Sequence, residues 1–230
     1  MEHLHSGHRE RLKGRFLQEG LDHFEEHSIL ELILFYAIPR KDTNAIAHQL
    51  IHRFGSLAGV LDAPVEELRK VKGVGDSAAL LLTMLPELCR VYMSRRYSQE
   101  GLLNTASKLG EYFRYQFVGR KNETAMLLCL DNRCKPLGCE IVGEGGLQSV
   151  DILPRRIAEA AMRTGATAVA LAHNHPRGAA LPSSKDIEMT KELYSILLQI
   201  GIHLLDHIVV AGEDYYSLAD AGAIPYRLDL

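Results

Sequence analysis

The chain has 230 residues, with 26 Lys and Arg against 29 Asp and Glu for a net charge of −3, and it is 47 % hydrophobic and 24 % charged. This is the composition of an ordinary globular protein, long enough for two small domains that each bury a core without disulfide staples. Neither half is basic enough to announce nucleic acid, and no signal peptide, internal repeat, low-complexity stretch or apolar run of membrane length is present.

The first ~95 residues read as short helices. His3, His5 and His8 fall in what reads as a solvated, flexible tail. An apolar pattern from Ser28 through Leu30, Leu32, Leu34 and Phe35 stops near Pro39, and Asp42 or Thr43 can cap a helix carrying Ala45, Ile46, Leu50, Ile51 and Phe54. Pro64 opens another helix, Gly73-Val74-Gly75 turns it, and a longer helix follows from about Asp76 to Tyr92. This has the form of a helix-hairpin-helix. Gly73 and Gly75 permit a tight turn whose backbone N–H groups can hold a phosphate without reading sequence, with Lys72 and Lys70 assisting. A hairpin between packed helices also needs glycine for backbone reasons alone.

The polar run from Arg95 to Gly101 is expected to be a linker, dividing a helical domain over 1–96 from a second domain over 102–230. In the second, a helix over about Ser107–Phe117 precedes a buried strand, Ala125–Leu130, a turn at Asp131-Asn132 and a strand around Leu137–Val142. A helix from Pro154 to Thr164, the apolar run Thr167–Leu171, a helix opened near Ser183 and a strand over about His203–Val210 complete it. The expected fold class is α/β (α+β), a mixed sheet sandwiched by helices. Cys89, Cys129, Cys134 and Cys139 lack the close pairs of a zinc ribbon and read as free thiols, which implies a reduced, cytoplasmic protein.

The most specific signal is His173-Asn174-His175-Pro176, followed by Ser183 and Asp186 in an H-x-H-P-x6-S-x-x-D pattern. Side chains alternate along extended backbone, so His173 and His175 share a side while Asn174 points to the other. Ser183 as N-cap puts Asp186 in the first helical turn. Two imidazole nitrogens and one carboxylate oxygen suit Zn2+ with a fourth position open to water, the arrangement of a catalytic rather than a closed structural site. Capping by itself would also account for Ser183 and Asp186.

These residues resemble the JAMM (also called MPN) metalloprotease signature, and His-Asn-His-Pro-x-Gly is similar to its bacterial RadC branch. Pro154-Arg155, Asp186-Ile187, Thr190-Lys191, Leu205–Val210, Leu30-Glu31-Leu32, Pro39-Arg40-Lys41-Asp42 and Gly73-Val74-Gly75 extend the likeness over nearly the whole chain. The resemblance implies a JAMM/MPN-like domain with Zn2+ on His173, His175 and Asp186. It implies a proton-shuttling Glu opening an early strand, for which Glu123 is the fit and Glu140 and Glu144 are rivals, and it gives Ser183 a hydrogen bond to the developing oxyanion. Asp206 and His207 are read as orienting a ligand or satisfying buried groups. Arg177 and Arg156 depart from the family's usual small residue and Glu, adding positive charge that leans toward an acidic or phosphate-bearing substrate.

The expected function is zinc-dependent hydrolysis of an amide or peptide bond in a protein or peptide substrate. Two alternatives use DNA: a metal-dependent nuclease served by the helical half, and a DNA-associated binding module linked to repair or recombination whose metal is structural or vestigial.

Overall fold

The computed structural model describes residues 3–39, 41–145 and 154–225, so Arg40 of the Pro39–Asp42 motif lies outside the described residues, as do the side chains of His3 and His5. Backbone contacts divide the chain into two compact units, Met1–Leu88 and Cys89–Leu230.

In the first unit the expected tail is instead a helix, α1 (His3–Glu19). It has no apolar stripe to give it away. Leu12 buries with Phe24, Leu32 and Phe35, and the Arg9 guanidinium donates to the carbonyls of Ile38, Pro39 and Lys41 at 2.8, 2.8 and 2.6 Å. α2 (Glu26–Ala37) and α3 (Asn44–Phe54) follow the apolar spacing, with Leu30, Leu34, Ile46, Ala47 and Leu50 packed into one cluster with Val60, Leu68 and Leu82. The buried Glu31 carboxylate faces His8 Nε2 at 3.1 Å and accepts from Asn44 Nδ2 at 2.9 Å. Two short helices, α4 (Leu57–Leu61) and α5 (Val65–Leu68), lead through the Gly73–Gly75 turn into α6.

The long helix α6 runs unbroken over Asp76–Glu100, Pro86 included. The run expected to be a linker from Arg95 to Gly101 is thus helical up to Glu100. Arg-Arg-Tyr-Ser-Gln-Glu is polar, but polarity does not oppose a helix and this run holds neither Pro nor Gly; only Gly101, with φ +149°, leaves the helical region.

In the second unit the helix α7 (Ala106–Phe117), capped by Thr105 Oγ1, precedes a five-stranded sheet ordered β2-β1-β3-β4-β5. The strands are β1 (Thr124–Leu130), β2 (Pro136–Glu144), β3 (Ala168–Asn174), β4 (His203–Ala211) and β5 (Asp214–Ser217). β3 and β4 run parallel and every other pair is antiparallel, so the sheet is mixed. Along β1 and β3 every residue is buried, the mark of strands covered on both faces. One face, with Ala125, Leu127, Val169 and Leu171, packs against α8 (Pro154–Thr164) and α9 (Ser184–Gln199) through Ile157, Leu193 and Leu197. The other, with Met126, Leu128, Ala170 and Ala172, packs against α7 through Leu109, Phe113 and Phe117. The expected α/β architecture, a mixed sheet between helices, is the one observed. All four cysteines are free, and among the described residues no helix is long and apolar enough to cross a membrane.

Gly73 has φ +98°, and a Cβ there would lie 2.7 Å from Ile46 Cδ1. Gly75 has open space and an ordinary φ. Gly73→Ala is therefore expected to lower stability by about 1–2 kcal/mol, whereas Gly75→Ala changes it by less than about 0.5 kcal/mol. Urea unfolding of the full chain, followed by helix circular dichroism, measures both; equal midpoints for the two variants would refute the backbone account of Gly73.

Candidate metal centre

At the carboxyl end of β3 the central strand leaves the sheet with His173 inside the ladder, opposite Ala125 of β1 and Val209 of β4. His175 lies just beyond it, its backbone N–H still donating to Val210 O at 2.7 Å. The N-cap of α9, Ser183, comes eight residues later. Ser183 Oγ accepts from the Asp186 N–H at 3.3 Å, and the Asp186 carboxylate accepts from the Ser183 N–H at 2.7 Å, a complete capping box. The expected capping is thus present, and it aims Asp186 at the histidines. One ligand atom from each of His173, His175 and Asp186 can be chosen so that all lie within 4.8 Å of one another.

A chain of hydrogen bonds decides which nitrogen of each ring carries the proton. Thr190 Oγ1 lies 2.5 Å from the Asp186 backbone carbonyl, which can only accept, so the hydroxyl proton goes there. Thr190 Oγ1 must then accept from His207 Nδ1 at 2.6 Å. A neutral His207 with its proton on Nδ1 has a bare Nε2, and this accepts from His173 Nδ1 at 2.8 Å. His173 is left with its Nε2 lone pair exposed to the site. His175 reaches the same state by a shorter route, because its Nδ1 donates to Ala179 O at 2.9 Å.

The two bare Nε2 atoms stand 3.1 Å apart, and His173 Nε2 is 3.9 Å from Asp186 Oδ2. That spacing lets a single cation be shared by both nitrogens. Ligand atoms on tetrahedral zinc, with bonds of about 2.0–2.1 Å, sit roughly 3.3 Å from one another. The donor set and spacing therefore fit a divalent metal: two imidazoles, one carboxylate, and no fourth protein ligand among the described residues. Burial supports the protonation states. It depresses the His173 pKa, helped by His207, and pushes His207 down to about 3, so both rings stay neutral far below their ordinary range.

The remaining residues expected at the site fall as follows. Ser183 donates its hydroxyl proton to Asp186 Oδ2 at 2.7 Å. Glu123 is exposed, immediately ahead of β1, two residues from the Ala125 that pairs with His173 and therefore on the same pleat face. Its carboxylate makes no hydrogen bond or ion pair among the described residues. Of its rivals, Glu140 is ion-paired with Arg163 at 2.5 Å, and Glu144 pairs across the ladder with Thr124, on the face away from His173. His207 stands beside a ligand, whereas Asp206 is used elsewhere, accepting from Ser217 Oγ, Ala219 N and His207 N at 2.6, 3.0 and 2.7 Å. Arg156 and Arg177 are both exposed. Sequence reasoning missed the part played by Thr190; its place one helical turn after Asp186 was the available signal.

Lys72, Gly73 and Gly75 lie on an exposed turn. There Lys70 pairs with Glu67, and Arg69 pairs with Asp76 at 2.8 Å. The positive φ of Gly73 and its approach to Ile46 account for that glycine without any ligand.

A family model described as the RadC-like JAB domain matches residues 103–223, more than half of the chain. The chain belongs to the RadC family. RadC-type JAB domains are of the JAMM/MPN kind, a family of metal-dependent hydrolases, and in this RadC chain the match encloses the whole sheet together with His173, His175 and Asp186.

In the unfolded RadC chain the buried imidazoles regain their ordinary value of 6.5 and take up protons below it, while the folded state holds them neutral. The folded state then binds fewer protons, so stability is complete above pH ~6.5 and declines as the pH falls toward the folded values. Metal-free protein should therefore melt at steadily lower temperature from pH 7 to pH 4, with a shallower dependence in His207→Gln. The same variant should bind zinc ~10–100-fold more weakly; a wild-type affinity would remove His207 from the support of His173.

Proposed function

We propose that this chain is a zinc-dependent hydrolase that cleaves an amide or peptide bond in a protein or peptide substrate, acting in the cytoplasm. The observation that carries the reading is the convergence of two imidazole lone pairs, 3.1 Å apart, with the buried carboxylate of Asp186. Zinc is the cation favoured by that donor set, and when bound it supplies a Lewis acid that polarises a carbonyl and lowers the pKa of water.

The chain's own residues supply the rest. Glu123, on the same pleat face as His173 and without another side-chain partner among the described residues, accepts a proton from the attacking water and passes it to the leaving nitrogen. Ser183 turns its hydroxyl from Asp186 toward the oxygen that gains charge on the substrate carbonyl. Arg177 and Arg156, both exposed, favour an acidic substrate segment. The DNA-directed alternatives draw on the helical unit, where the glycine turn is accounted for by backbone geometry and two of its neighbouring cations are already paired.

Purified protein is expected to carry about one equivalent of zinc, and Asp186→Ala far less. In a screen of peptides and nucleic acids, the zinc-loaded protein should hydrolyse peptides, and Glu123→Gln should keep its zinc while losing ~10²–10⁴-fold in rate. Equal zinc in wild type and Asp186→Ala would take Asp186 out of the ligand set. Cleavage of DNA rather than peptides would replace the proposed substrate class.

A further inference from the structure

Asn174 stands between the two metal-facing histidines and, by the alternation of the strand, projects from the opposite face of the sheet. It is buried, and its carboxamide is fully used. Oδ1 accepts from the Thr124 N–H at 2.7 Å, while Nδ2 points at the carbonyls of Asn122 and Arg120 at 3.3 and 3.5 Å. The Thr124 N–H belongs to the peptide unit that follows Glu123, and the Asn122 carbonyl belongs to the one that precedes it. One side chain therefore grips the backbone on both sides of Glu123. The Glu123 carbonyl is held as well, accepting from the Gly145 N–H of the neighbouring chain segment at 2.9 Å.

The regular β1–β3 ladder ends at the pair Ala125 and His173. Beyond it, the Asn174 amide ties the stretch 120–124 to the end of β3. A buried amide that spends both donors and acceptor on main-chain groups is costly to disturb, because each partner would be left unpaired away from water. The stretch it holds carries an exposed glutamate, Glu123, that has no side-chain partner among the described residues. Rigid backbone is what gives such a side chain a defined reach, since proton transfer fails when a group sits even 1 Å out of place.

We propose that Asn174 is a positioning residue that sets the distance of the Glu123 carboxylate from the metal held by the histidines on either side of it. This rests on the reading of Glu123 as the proton-transfer group. The strand thus serves the centre from both faces: odd-numbered positions 173 and 175 present ligands, and position 174 locks the segment that brings the carboxylate.

Cobalt(II), which accepts the same tetrahedral nitrogen and oxygen donors, gives a readout that needs no substrate. In full-length protein labelled with ¹³C-Glu, the Glu123 side-chain signal, identified by its loss in Glu123→Gln, should carry a paramagnetic shift when cobalt is bound. In Asn174→Ala that shift should be lost while cobalt binds at wild-type stoichiometry. A Glu123 signal shifted equally in wild type and Asn174→Ala would overturn the positioning role, and so would loss of cobalt binding, because Asn174 would then act on the ligands. A wild-type Glu123 signal untouched by cobalt would instead overturn the placement of Glu123 at the centre, and the positioning role with it. If Asn174→Ala does not fold, Asn174→Asp decides the same way, since it keeps the acceptor for Thr124 but loses both donors.

Discussion

The centre depends on one proton relay that begins at a backbone carbonyl. The Asp186 C=O can only accept, which forces the direction of the Thr190 hydroxyl, then the tautomer of His207, then that of His173. Each link is buried, so none can be rescued by water, and reversing any one would put a proton on the nitrogen that must face a cation. Asp186 takes part twice: its side chain faces the site, and its main chain fixes the far end of the relay. Helix α9 and strands β3 and β4 are thereby coupled through chemistry as well as through apolar packing.

That coupling explains why so much polarity survives in a dry core. His173, Asn174, Asp186, Thr190, Asp206 and His207 are all buried, and all are hydrogen-bonded. Unpaired, such groups would each cost on the order of 1–3 kcal/mol. Two separate networks share the work. One runs from α9 through His207 to His173; the other ties Asp206 to Ser217 and Ala219 and so closes β5 onto β4. Neighbouring residues of one strand, 206 and 207, can serve both because adjacent side chains leave a strand in opposite directions.

Much of the second unit was legible from spacing. The Pro154–Thr164 helix matches its expected limits, and β1, β3, β4 and α9 lie within a few residues of theirs, because buried runs and cap residues are local signals. The misses have different origins. α1 shows no apolar stripe and is held by Arg9 reaching across to the end of α2. α6 outlasts the expected linker because a polar run can continue a helix that is already formed. β5 is only four residues long and exists through pairing with β4. For α1 the deciding contact lies some thirty residues along the chain, whereas α6 and β5 were missed because a polar run and a four-residue strand carry little apolar pattern of their own.

The sequence by itself determined the identities and the relative facing of the groups in the centre: two histidines on one side of a strand, an amide on the other, and a carboxylate one turn into a capped helix. These follow from period-two alternation and N-cap geometry, which operate over a few residues. Tertiary structure alone decided that the helix start meets the strand end, that His207 and Thr190 complete the relay, and that Asn174 reaches the peptides around Glu123 some fifty positions earlier. Such pairings arise only when the parallel β3–β4 crossover and the antiparallel β1–β3 ladder are both in register, and register is set by the burial of whole faces rather than by any short stretch of residues.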